Sequence, residues 1–128
     1  MRYLLDTHTL IWWLLGDPAL SAAARAAIES DDHVFFVSSV SIYEIAIKVR
    51  VGRLDALAEP TATMDDVLEQ EGFEVLPLNL HHARRAGLMR EKHRDPFDRM
   101  LAAQALIEGM TLISRDREIA AFGCEMLW

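Results

Sequence analysis

Residues 95–116 read DPFDRMLAAQALIEGMTLISRD, a helix signal and a strand signal separated by one glycine. Asp95 stands where a helix N-cap belongs, and Pro96 suits the first helical position, whose N–H has no intrahelical partner anyway. The run to Glu108 is rich in good helix formers, and Gly109 supplies the stop. Met110 to Ser114 is then a short apolar run without alternation, the pattern of a strand covered on both faces. An acid, Asp116, follows that strand.

The same grammar repeats outward through the chain. Arg2 to Leu5 reads as a strand ending at Asp6, and His8 to Leu15 as a buried helix stopped by Gly16-Asp17-Pro18. Ser21 caps an Ala-rich helix to Glu29, and His33 to Ser38 is dense in β-branched and aromatic residues, as strands are. Ser41 to Val51 carries Ile42, Ile45, Ala46 and Val49 at helical spacing and stops at Gly52. There follow an acidic amphipathic helix (Thr63 to Gln70), a strand (Phe73 to Leu78, with Pro77 as a stop) and a basic helix (Leu80 to Met89). Arg117 to Phe122 reads as a short helix and Cys124 to Leu127 as a final strand. Unpatterned apolar strands alternating with helices predict an α/β fold around a parallel sheet. Ligands of such sheets bind outside the carboxyl ends of the strands.

The 128 residues suit a single domain spanning residues 1–128, with 52% apolar and 26% charged residues as in ordinary globular proteins. The longest apolar run, Leu10 to Leu15, is too short for a bilayer, and Asp6 and His8 interrupt the N-terminus as a signal peptide. One cysteine, Cys124, excludes an internal disulfide and fits a reducing cytosol, so a cytoplasmic protein with no membrane partner is expected. Net charge is −7, which by itself disfavours a polyanionic partner. The distribution is uneven. Asp55 to Glu74 holds seven acids and no Lys or Arg, whereas Arg84, Arg85, Arg90, Lys92, Arg94 and Arg99 crowd one later segment. Two solvated faces of opposite sign account for this as well as a binding face does.

Four acids stand at or just after strand exits: Asp6, Glu44, Asp98 and Asp116. Each has a structural reading alone. Asp6 and Asp116 suit N-caps, Ser41-Ile42-Tyr43-Glu44 fits a capping box, and Asp98 suits the positive end of a helix dipole. Together, on one edge of a parallel sheet, they would repel one another unless a cation stood between them. An all-oxygen donor set suits Mg²⁺ or Mn²⁺, which can activate a water and neutralise charge developing on a phosphodiester.

Four blocks carry a resemblance: YLLDTHTLIWWLLGDPALS, VSSVSIYEIAIKVRVGRL, HRDPFDRMLAAQA and TLISRDREI, together covering nearly the whole chain in order. The sequence closely resembles the PIN-domain ribonucleases and, within them, the VapC-type toxins of bacterial toxin–antitoxin pairs. The resemblance implies a three-layer α/β/α fold with a mainly parallel five-stranded sheet. It also implies Mg²⁺- or Mn²⁺-dependent endonuclease activity on RNA, a homodimer, and inhibition by a small cognate antitoxin. The family's acidic positions fall on Asp6, Glu44, Asp98 and Asp116. Asp95 competes for the third place, but it is already explained as a cap, and the small-residue helix that follows is in register with Asp98.

Thr7 and Ser114 adjoin two of these acids and can orient a water or a carboxylate, or simply cap. Arg99 and Arg115 are candidate phosphate contacts, or counter-charges to the nearby acids. The five histidines show no metal-ligand spacing, and neither a Walker-type phosphate loop nor a serine nucleophile elbow is present. Adjacent helical residues do not share a face, so Trp12 and Trp13 must point apart. Two other readings stay open: a catalytically silent module that binds RNA or protein, and a housekeeping RNA-processing nuclease.

Overall fold

A computed structural model describes residues 1–90 and 95–128. Glu91, Lys92 and Arg94 of the basic segment, and His93, lie outside the described residues. The order is β1 (Arg2–Leu5), α1 (Thr7–Leu15), α2 (Ala22–Glu29), β2 (Val34–Ser38), α3 (Ser39–Arg50), α4 (Ala58–Ala62), α5 (Met64–Glu71), β3 (Glu74–Leu76), α6 (Leu80–Leu88), α7 (Pro96–Glu108), β4 (Thr111–Ile113) and β5 (Met126–Leu127). One-turn and two-turn 3₁₀ segments occupy Asp55–Leu57 and Arg117–Phe122.

All five strands are parallel, in the order β3-β2-β1-β4-β5. β1 is central, and Leu5 lies opposite both Val37 of β2 and Ile113 of β4. The residues leaving these three strands therefore emerge side by side on one edge. The period of two in β1 also divides the core. Tyr3 and Leu5 join Leu10, Ile28, Val37, Ile45 and Leu68 on one face. Leu4 joins Leu101, Ala102, Ala105, Leu112 and Ile119 on the other. The result is a three-layer α/β/α arrangement, with helices burying both faces of a sheet whose central strands are mainly apolar.

α7 has the bounds its capping residues dictate. Asp95 accepts from the amides of Phe97 (2.9 Å) and Asp98 (3.4 Å), and Gly109 ends the helix at φ 65°, a conformation that favours glycine. α3 departs from the sequence reading. β2 turns into it without a loop, Ser38 is the N-cap and accepts from Val40 N at 3.0 Å, and Ser41 is buried inside the helix. The Ser41–Glu44 capping box is thus not formed, and Glu44 lies in the second turn. β3 is shorter than expected because it is an edge strand that pairs only with Phe36–Ser38 of β2.

Candidate active site

Asp6 follows the last residue of β1, and its backbone is fixed by donation from its amide to Ile113 O at 3.1 Å. Its side chain caps α1, with Oδ1 accepting from Thr9 N at 2.8 Å. The other carboxylate oxygen accepts from the Ser114 hydroxyl. Only 5% of Asp6 is exposed, and this burial raises its carboxyl above the ordinary value of 3.8. Hydrogen bonds from Ser114 and Thr9, with a minor contribution from the charge of His8, pull the other way without overcoming the desolvation. Asp6 takes part in neither ion pair found among the described residues.

Ser114 connects two acids. While its hydroxyl donates to Asp6, the same oxygen accepts from the Asp116 amide at 3.0 Å. Asp116, half-buried, caps the following 3₁₀ segment by accepting from Glu118 N at 3.0 Å. Thr7 acts across the sheet edge, donating to Ser41 Oγ at 3.0 Å and so locking the start of α1 to α3. Glu44 lies one turn beyond Ser41, half-buried, with Lys48 3.5 Å away. Asp98 is half-buried in the first turn of α7, which packs on α3. The rings of Tyr43 and Phe97, the residues just before Glu44 and Asp98, are 6.0 Å apart.

Asp6 and Asp116 thus share a hydroxyl, while Glu44 and Asp98 lie on facing helices, and Thr7–Ser41 links the two halves. Among the described residues no three His, Cys, Asp or Glu side chains are close enough to make a finished metal cage. The donor chemistry nevertheless suits a hard divalent cation, because the acids are oxygen donors and Asp6 is a buried carboxylate without an ion-pair partner among the described residues. The softer candidates lie elsewhere in other roles: Cys124 donates to Ile119 O, and His82 bonds Glu108 at 2.9 Å.

The two arginines have partners inside the protein. Arg99 donates to Ala86 O at 3.0 Å (Nη2) and to Met89 O, tying down the end of α6, and lies over the Phe122 ring. Arg115 lies over the Trp12 ring at 5.7 Å. As adjacency requires, the paired tryptophans diverge: Trp13 donates to Glu71 Oε2 at 3.0 Å, whereas Trp12 meets His8 and Trp128. Sequence reasoning missed His82. It is fully buried and completes a capping box with Asn79 at the start of α6, with histidine where glutamate or glutamine usually stands.

The family pattern described as PIN domain matches residues 3–123. The chain belongs to the PIN-domain family. Within it the chain is of the VapC type, being 31% identical to Ribonuclease VapC22 of Mycobacterium tuberculosis over 116 residues, 91% of this chain and 88% of that protein. Solved structures share the fold at lower identity. A chain of the VapBC2 complex from Rickettsia felis, bound to a DNA fragment from its promoter, superposes with TM-score 0.75 at 15% identity, covering 99% of this chain and 98% of that one. VapC20 of Mycobacterium tuberculosis, described as a Sarcin-Ricin loop cleaving toxin, gives 0.69 at 16% identity over 95% of each chain. This PIN domain therefore has its Asp6, Glu44, Asp98 and Asp116 on a scaffold that matches such proteins over nearly their whole length.

Proposed function

We propose that this protein is a Mg²⁺- or Mn²⁺-dependent endoribonuclease, the toxin of a toxin–antitoxin pair, hydrolysing RNA phosphodiesters in the cytoplasm. The observation that carries this reading is Asp6: a carboxylate buried at the exit of the central strand, oriented by Ser114, with no cationic side chain paired to it among the described residues. A buried carboxylate without a counter-charge is costly, and a bound cation would relieve that cost. Asp6, Glu44 and Asp98 would hold the ion, with Asp116 completing the acidic edge. When bound, the ion would supply Lewis acidity, stabilising charge on the phosphodiester and lowering the pKa of water. The chain's own groups do the rest. Ser114 fixes the Asp6 carboxylate, Thr7 ties the start of α1 to α3, and Lys48, 3.5 Å from Glu44, offsets its charge.

The VapC22 name and the VapBC complexes with the same fold support an RNA substrate and a cognate antitoxin. An acidic pocket would also attract an inhibitor's arginine, a physical route to silencing. The reading includes a homodimer, for which exposed apolar side chains such as Leu80 and Leu88 are available. The decisive experiment is cleavage-site mapping on total RNA with Mg²⁺, with EDTA, and with Asp6→Asn and Asp98→Asn. Metal-dependent cuts lost in both variants are expected, and cuts that persist in EDTA or in either variant refute the reading. A silent binding module would share the open spacing of the acids, and binding without any cleavage would favour it. Growth arrest relieved by a coexpressed neighbouring gene product separates a toxin from a housekeeping nuclease.

A further inference from the structure

Beside the acidic edge lies a pocket of about 360 Å³ lined by His8, Trp12, Arg115 and Asp116. Two separate stretches line it, and a third, at Trp128, packs against Trp12 from beside it. His8 and Trp12 are one turn apart on α1 and so share a face, with ring centres 5.6 Å apart. Arg115 follows β4 and lies over Trp12, and Trp128 follows β5 with its ring 5.7 Å from Trp12. The bond from Ser114 N to Leu127 O, 3.2 Å, holds the exits of β4 and β5 together, so this grouping follows from the sheet itself. Trp12 is half-buried and packed against the core, which fixes its ring, while His8 and Arg115 are exposed.

We infer that this pocket, formed by His8, Trp12 and Arg115, is a stacking site for one unpaired base of a single-stranded RNA. The inference rests on the ribonuclease reading and adds what that reading lacks, a contact that selects bases. Single-stranded RNA is recognised by splaying bases onto aromatic rings and guanidinium planes, and this pocket presents two rings and one such plane. With a net charge of −7 the protein has little general attraction for phosphates, so a stacking contact matters more here than in a basic nuclease. The position is also apt. Asp116 lines the pocket, its amide is bound by Ser114 Oγ, and Ser114 donates to Asp6, so a base held there lies next to the acids. The stacked base would set the register of the strand relative to the bond that is cut.

The test uses the full chain and single-stranded RNA pentamers in which one abasic residue is moved along the strand. Binding is read in EDTA and cleavage in Mg²⁺. In the wild type, one abasic position should weaken binding roughly tenfold or more, the usual size of one lost base–aromatic stack. Trp12→Leu should bind all pentamers alike, and the exposed-site variants His8→Ala and Arg115→Gln should shrink the position effect even if Trp12→Leu folds poorly. Wild-type binding indifferent to every abasic position overturns the inference, as does an undiminished effect in all three variants. With Mg²⁺ cleavage intact, that result leaves the ribonuclease reading standing, and it is the result expected if the pocket receives only a peptide. Neither binding nor cleavage of any pentamer would overturn both.

Discussion

Asp6→Asn should destroy activity and yet stabilise the metal-free protein at neutral pH. Asparagine caps helices as well as aspartate does, so the bond to Thr9 N survives, while its NH2 stands where the second carboxylate oxygen was and donates to the Ser114 hydroxyl oxygen instead of accepting from it. The charge is lost and the Ser114 contact reverses direction, at the cost of one neutral hydrogen bond at most. Because burial raises the folded-state pKa of Asp6 above 3.8, the folded state holds its proton over a pH range in which the unfolded state has released it. Stability due to this group therefore falls as pH rises through that range, by at most about 1.4 kcal/mol per pH unit, and the penalty is complete above the folded-state value. Below the ordinary value both states are protonated and the term vanishes. Urea or thermal unfolding in EDTA from about pH 4 to about pH 8 should show the gap between Asp6→Asn and wild type opening with pH, each 1 kcal/mol corresponding to about 4 °C for a chain this size. Asp6→Ala, which also loses the cap, should lie about 1 kcal/mol below Asp6→Asn at every pH. Mg²⁺ should raise the wild type by about 2.7 kcal/mol at a hundredfold excess over its Kd and leave Asp6→Asn little changed. A gap that stays flat with pH, or an Asp6→Asn variant less stable than wild type at neutral pH, would refute the reasoning.

Ser114→Ala removes both the donor to Asp6 and the acceptor for the Asp116 amide, and metal affinity or turnover should drop about 10- to 100-fold, as for other groups that orient a ligand. Steady-state kinetics across a Mg²⁺ titration would show it. Arg99→Met should cost about 1.5–3 kcal/mol in chemical denaturation, because the carbonyls of Ala86 and Met89 lose a charged donor. Leu112→Ala, at a fully buried position of β4, should cost about 2–5 kcal/mol through the cavity it leaves, again read by denaturation.

Features set by neighbouring residues were legible in the sequence. α7 could be bounded at both ends because Asp95, Pro96 and Gly109 act within one turn of themselves, and parallel pairing followed from the unbroken apolar strands. Features set by distant partners were not legible. Ser41-x-x-Glu44 has the letters of a capping box, but β2 enters α3 without a loop, so Ser38 takes the cap and Ser41 turns inward to Thr7. Arg99 reads as a phosphate ligand until α6 places two carbonyls beside it. His82 reads as one of five histidines without metal-ligand spacing, though its burial against Glu108 depends on the packing of α6 against α7. The positions of Asp6 and Asp116 directly after strands were legible, whereas Glu44 lies in the second turn of α3 and Asp98 on a helix that follows another helix, and the degree of burial at Asp6 needed the fold.

The central place of β1 has a consequence for how the protein is made. Its partner β4 and the Ser114 hydroxyl come from a stretch about a hundred residues later, the separation of Asp6 from Ser114 being 108. Contacts so far apart in sequence form late, and synthesis delivers the N-terminal half first. While residues 111–116 remain inside the ribosome, β1 has β2 on one side and nothing on the other, and Asp6 lacks the Ser114 hydroxyl. A chain assembled in this order cannot complete the surroundings of Asp6 until residues 111–116 have left the ribosome, so the topology itself acts as a delay.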